Sequence, residues 1–263
     1  MRYLRLIGHF ARASFQEEAA YPSNFYIGLL HSLLNLATGV LGITVLFGQI
    51  ETVNGWNLAA TLALLGVYLV VSALRSLFLG PSLEALAGMD GEVWTGQFDF
   101  TLLRPVDTQF LASFRKWHPF ALFDLVLGLG VLGVAVTQLS QALTAMRMVA
   151  FLVALGSGVT ILYAILLAFA GLVFWSPGVL FTWVFDGIFQ MARYPLGLYP
   201  GWLRLVLTWV VPVGVITTVP SQALTGAVSI EALAGSAGLA AALLIGASAL
   251  FQFGLRRYAS ASS

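Results

Sequence analysis

The chain has no cysteine among its 263 residues. Disulfides and thiolate metal sites are therefore excluded, although this alone fixes no compartment. Charge is scarce as well. Asp, Glu, Lys and Arg make up 9% of the residues, against about 25% in a soluble globular domain. So few charges cannot clothe a water-facing surface. The formal net charge is +1, so there is no basic excess to hold nucleic acid. The motifs of several chemistries are missing too. No G-x-x-x-x-G-K-[ST] phosphate loop occurs; "GSGVT" at 156–160 lacks the Lys and lies inside an apolar run. There is no H-E-x-x-H, no G-x-S-x-G and no clustered set of His and carboxylates. The chain carries no visible chemical engine.

What it has in abundance is apolar sequence: 59% hydrophobic residues and a mean hydropathy of +0.93. Several runs reach about 20 residues, the length of a membrane-crossing helix. A barrel would instead show short alternating strands. The expected fold class is an all-α integral membrane protein with six transmembrane helices, near 25–47, 58–79, 120–137, 149–174, 203–219 and 233–253. Residues 1–20 carry Arg2, Arg5, His9, Arg12, Glu17 and Glu18 ahead of the first run. That run is too long for a signal peptide and lacks a small-residue cleavage site, so no cleavable signal is expected. Within 2–16, Leu4, Ile7, Phe10 and Ala11 fall on one face and the basic residues on another. This pattern predicts an N-terminal interfacial amphipathic helix lying in the headgroup region.

With six spans both termini lie on one side. That side would hold eleven of the twelve Lys and Arg residues, counting Arg193, Arg204 and, at its border, Arg75; the other side would hold only Arg147. The positive-inside rule then makes both termini cytoplasmic. The outer loops, 48–57, 138–147 and 220–232, are short. Residues 178–191 are apolar but too short to cross and contain Asp186. An interfacial helix with Trp183 as its anchor is favoured, with a half-helix dipping into the membrane as the alternative. The following "ARYPLGLYPGWLR" reads as a stiff interfacial connector.

A few polar residues sit inside the runs. His31 and Asn35 lie four apart and share a helix face. Arg75 and Asp124 are near the inner ends of runs two and three, and Ser157, Thr160 and Tyr163 are in run four. Intramembrane ionisable groups point to function by default. Structural readings stand beside this one: Arg75 snorkels, Asp124 pairs with Arg75 or sits in interfacial water, and His31 and Asn35 bond a neighbouring helix. Glycines in "GVLGITVLFG" and "LVLGLGVLGV" signal close helix packing.

Residues 80–118 form the long polar loop. Pro81 and Ser82 suit a helix start, and Gly88 and Gly91 a break. Phe98 and Leu102 are four apart on a short amphipathic piece that Pro105 ends. Asp107 is a good N-cap for the next helix, whose last turn would set Arg115 and Lys116 against the helix dipole. Phe98, Phe100, Leu102 and Leu103 beside charges suit an exposed protein contact; the alternative is that they pack onto the ends of the spans.

Two blocks, "DFTLLRPVDTQF" at 99–110 and "FQMARYPLGLYPGWLRLVLTWVVPVGVITTVPSQALTG" at 189–226, resemble the permease subunits of ATP-binding-cassette exporters of the type-2 exporter superfamily. The six runs and the amphipathic N-terminus match as well, so residues 1–263 are taken as one permease domain. The resemblance implies a multi-pass protein of the cell (inner or plasma) membrane with no nucleotide site and no bound cofactor. ATP and Mg would be held by two separate ABC ATPase subunits, and a second permease, of the same or a related chain, would complete the pathway. It also implies an ATPase-coupling element at Phe98, Asp99, Leu102, Leu103, Arg104 and Pro105, a substrate pathway for which His31 and Asn35 are candidates, and a partly re-entrant outer gate at Pro212 and Pro220. The rival readings are an ion-driven secondary transporter, which would want midplane carboxylates and an inverted repeat, and a membrane scaffold or lipid-interacting enzyme.

Overall fold

The computed structural model describes residues 2–139, 143–178 and 181–258. Ser140, Gln141 and Ala142 of the expected loop 138–147, and Val179 and Leu180 of the segment 178–191, lie outside the described residues. In chain order the α-helices are α1 Arg2–Ala19, α2 Pro22–Phe47, α3 Leu58–Leu74, α4 Gly80–Glu84, α5 Asp99–Leu102 and α6 Thr108–Phe114. They continue with α7 Leu122–Thr137, α8 Ala145–Leu172, α9 Phe181–Gln190, α10 Gly201–Leu205, α11 Val213–Thr225 and α12 Ile230–Arg257. A wide turn at Arg75–Leu79 joins α3 to α4. Among the described residues five stretches are long and apolar enough to cross a membrane: Pro22–Phe47, Leu58–Glu84, Pro119–Thr137, Ala145–Leu172 and Ile230–Arg257.

Local chemistry starts these helices. Asn57, Thr144 and Ser229 each accept a hydrogen bond from a backbone N–H three residues on, capping α3, α8 and α12. Pro22 opens α2, where its missing N–H costs nothing.

Packing rests on close approach at glycines. A methyl group on Gly66 would meet the Leu132 backbone nitrogen at 2.9 Å, and one on Gly128 the Val70 nitrogen at 2.9 Å. These contacts run α3 and α7 antiparallel. On α8, Gly158 faces Ile216 of α11 and Gly171 faces Phe251 of α12. Helices α3, α8 and α11 carry about half of the buried side chains among the described residues, including Leu64, Ile161 and Ile216. Helix α2 is peripheral, with only Gly39 and Ile43 buried.

Helix α1 and the end of α12 lie at the same end of the bundle. The Tyr3 ring packs edge-on to Phe110, 4.7 Å between centroids. Ser14 Oγ accepts from the Trp117 N–H at 3.1 Å. After α12, Tyr258 packs against Phe98 and Phe174. The 48–57 link and the starts of α8 and α12 lie at the opposite end.

One expected span takes a broken form. Residues 203–219 do not form a straight helix: the pair Gly201–Val210 and Val213–Thr225 is bent by 90°. Pro212, which cannot donate a backbone hydrogen bond, sits at the break. The pair begins just after Gly197, whose carbonyl is held by Asn54 of the 48–57 link (2.8 Å). It ends at Gly226, which takes a left-handed φ of 78° and lies against the Arg147 guanidinium near the start of α8. Both ends of the bent pair are therefore at the end of the bundle opposite the termini.

A different stretch follows the α2–α3 hairpin from end to end. Asp186 contacts Arg75 (2.5 Å). Phe189 packs on Tyr68. Arg193 reaches Asn35 (2.9 Å), the Tyr194 hydroxyl faces Gly42, and Gly197 meets Asn54. The connector that reads as interfacial in sequence thus lies beside the middle and far half of two long helices.

Candidate functional site

Two places bring functional side chains together: the folded loop between α4 and α7, and a polar cavity between α2, α3 and α9.

The loop is built around a buried acid. Gly88 and Gly96 turn the chain with φ of 90° and 74°, and the Gly88 N–H donates to the Pro177 carbonyl at 3.0 Å. Glu92 is 6% exposed. Arg115 donates to both of its carboxylate oxygens, and Lys116 Nζ lies 3.0 Å away. Arg115 also donates to Thr101 Oγ1 at 2.7 Å, so one guanidinium pins α5, α6 and Glu92 together. Ser82 of α4 accepts from the Lys116 N–H (2.6 Å). Arg115 and Lys116 were expected on the last turn of a helix facing its dipole. Instead α6 ends at Phe114 and both turn to Glu92, because a buried carboxylate attracts them more strongly than a partial charge exposed to solvent. The Asp107 cap forms as its position predicts, Oδ1 accepting from the Phe110 N–H at 2.8 Å.

The six candidate contact residues divide into two groups. Phe98, expected on the exposed face, is fully buried against Phe174 and Tyr258. The reason is the turn at Gly96 and the bond from the Phe98 N–H to the Glu92 carbonyl (2.9 Å), which aim the ring inward. Asp99 accepts from the Tyr258 hydroxyl. Leu102, Leu103, Arg104 and Pro105 face outward, with Leu103 80% and neighbouring Phe100 69% exposed. The outcome is an apolar tip on a rigid base.

The cavity measures about 480 Å³ and is lined by His31, Asn35, Tyr68, Arg75, Asp186 and Arg193, among others. Arg75 is paired with both Glu84 (2.6 Å) and Asp186 (2.5 Å) and lies 5.3 Å from the centre of the Phe185 ring. Its carboxylate partners are thus not Asp124, which lines two small cavities, one with Ser32 and Phe120 and one with His31 and Asn35. His31 and Asn35 face the polar cavity together, but Arg193, which reaches Asn35 across it, stands out in sequence only as one cation in an aromatic connector. Pro212 and Pro220 are not neighbours. Pro212 lines an apolar pocket of about 360 Å³ with Ala164, Phe169 and Ala247, and Pro220 is buried within α11.

The arrangement is that of a membrane helix bundle with a polar interior pocket and a structured loop at one end. A family model described as "ABC-2 family transporter protein" matches residues 33–262. The chain belongs to the ABC-2 transporter family. Neither a curated protein nor a solved structure shows a significant match to it. Membership makes this ABC-2 chain the membrane component of a transporter, a multi-pass protein whose family works with ABC ATPases. The match takes in the loop and the cavity lining from Asn35 onward, with His31 just outside it.

Proposed function

We propose that this ABC-2 chain is the permease of an exporter whose ATP is hydrolysed on separate subunits, and that the tip Phe100–Leu102–Leu103 is where those subunits dock. The observation that carries the reading is the tip itself: large apolar side chains held out from a base that a buried ion cluster makes rigid. An exposed apolar patch rimmed by charge fits a protein partner. The sequence has no phosphate loop, so nucleotide and Mg would be held by the partner. Two ATPases would draw two copies of the tip together, and a second permease, identical or related, would complete a pathway between them.

The reading places the termini and the loop in the cytoplasm of a cell whose inner or plasma membrane holds the chain. The charge count supports this after correction for the bent pair. The end with the termini carries Arg5, Arg12, Arg104, Arg115, Lys116, Arg256 and Arg257, and the opposite end Arg147 and Arg204, with Arg193 between. The absence of cysteine offers a clean test. Single substitutions Gln49→Cys and Gln97→Cys are exposed to an impermeant thiol reagent on intact cells. Labelling of position 49 alone is expected; labelling of position 97 alone would reverse the orientation and end the proposal. For the energy source, the purified membrane complex should hydrolyse ATP. A chain that moves substrate in vesicles by itself, with no ATPase present, would overturn the reading.

A further inference from the structure

Arg193 is a cation with no carboxylate beside it among the described residues. Its Nη2 donates to Asn35 Oδ1 at 2.9 Å and lies 3.5 Å from the Tyr68 hydroxyl. Its Cζ sits 5.2 Å from the centre of the Tyr68 ring. All of these partners are neutral. A guanidinium offers five N–H donors, and here the Nε is buried with no acceptor. The group is also deep. Asn35 is thirteen residues past Pro22 and twelve before Phe47 in α2. At a rise of 1.5 Å per residue that is about 18 Å of helix to either end, farther than an arginine side chain can snorkel. An uncompensated charge at such depth is costly, and its retention points to a ligand.

The cavity separates its charges in a way that sharpens this. The two carboxylates that line it, Glu84 and Asp186, are both bound to Arg75. The end at Arg193 is left positive, with His31 and Asn35 opposite it on α2. We propose that Arg193 anchors an anionic group, a carboxylate or a phosphate, on the substrate this permease moves. The identification of the bound molecule as substrate rests on the exporter reading. A pocket of about 480 Å³ admits a headgroup or a small organic acid, within the range of small-molecule sites. Cation–π contact with Tyr68 holds the guanidinium plane, and Asn35 fixes one edge. The remaining N–H groups are free to take two oxygens of one anion, the geometry at which arginine surpasses lysine.

The test is binding to the full chain in phosphatidylcholine nanodiscs, read by thermal unfolding. The probes are dodecyl phosphate, dodecanoate, dodecanol and inorganic phosphate. Dodecyl phosphate, dodecanoate or both should stabilise the wild-type chain, and dodecanol should not. Stabilisation by inorganic phosphate alone would assign a water-soluble anion, and by the alkyl anions alone an anionic amphiphile. Arg193→Gln should weaken binding about thirtyfold or more, the low end of the cost of truncating one partner of a buried charged pair. Arg193→Lys should retain part of it and shows that loss is not unfolding. Equal stabilisation by dodecanol, no response to any anion, or unchanged affinity in Arg193→Gln would overturn the proposal. No ATPase takes part in the assay. Anion binding by a chain that recruits no ATPase would therefore sink the exporter reading and leave the site standing, and the reverse result would do the opposite.

Discussion

Tyr258, one residue past α12, donates a hydrogen bond to Asp99 at the start of α5, 2.9 Å away. Helix α5 is thereby tied to the end of the last long helix of the bundle. Burial, then the bond to Asp99 and its negative charge, push the Tyr258 hydroxyl up to about 12.

The sign of that shift fixes a pH dependence. The folded value lies above the ordinary value of 10.0. The contribution of the bond is therefore complete below pH 10, and it is lost as pH rises through about 12. In tyrosinate absorbance of the folded chain, one tyrosine should titrate near pH 12 and disappear from the curve in Tyr258→Phe. That variant should also lose about 1 kcal/mol of stability, a typical net hydrogen bond. Titration of Tyr258 with the ordinary tyrosines would contradict the contact.

Glu92 makes the stability of the loop depend on its cations. Arg115→Met leaves a buried carboxylate with only Lys116, half-exposed, beside it. Breaking a buried pair from one side costs about 3–5 kcal/mol. A marked fall in melting temperature is expected, and Glu92→Gln added to Arg115→Met should recover part of it, since the orphaned charge is gone. A fall no larger than that of an exposed arginine such as Arg104→Met would place Glu92 in solvent.

Glycine substitution should sort packing from mere composition. Gly66→Ala and Gly128→Ala would each push a methyl group to within 2.9 Å of a facing backbone nitrogen, and overpacking costs about 1–3 kcal/mol. Gly130, on the same α7, has nothing within 4 Å, so Gly130→Ala should be neutral or slightly stabilising through helix propensity. Thermal unfolding of the three variants reads this directly; equal effects at 128 and 130 would refute the α3–α7 contact.

The long helices were legible because each is an apolar run ended by its own cap or proline, as at Pro22, Asn57 and Ser229. The bent pair was not legible from hydropathy, although the resemblance implied a partly re-entrant element at Pro212. Its composition equals that of a span, and hydropathy averaged along a window carries no direction, so a 90° turn at Pro212 is invisible to it. The stretch that does follow the α2–α3 hairpin was hidden for the opposite reason. Asp186 and Arg193 make it look interfacial, and what accommodates them, Arg75 in one case and Asn35 with Tyr68 in the other, comes from distant helices. In the loop, Asp107 acts on its own neighbours and could be read as a cap. Glu92 looks like any surface acid until Arg115, far along the chain, closes over it. Phe98 and Leu102 share helical spacing, and the Leu102 N–H donates to the Phe98 carbonyl, but the fold closes over Phe98 with Phe174 and Tyr258 and leaves Leu102 outside.

Two leucine positions decide whether the exposed tip is a docking surface. The chain, tagged and extracted from its own membranes, is isolated in parallel with Leu102→Glu/Leu103→Glu, and the co-isolated ATPase is measured per mole of chain. Both side chains are outward-facing, so the variant should accumulate and melt like the wild type while the wild type alone brings down a nucleotide-binding subunit. Wild-type chain that isolates with no ATPase, or a variant that retains its full complement, would contradict the account.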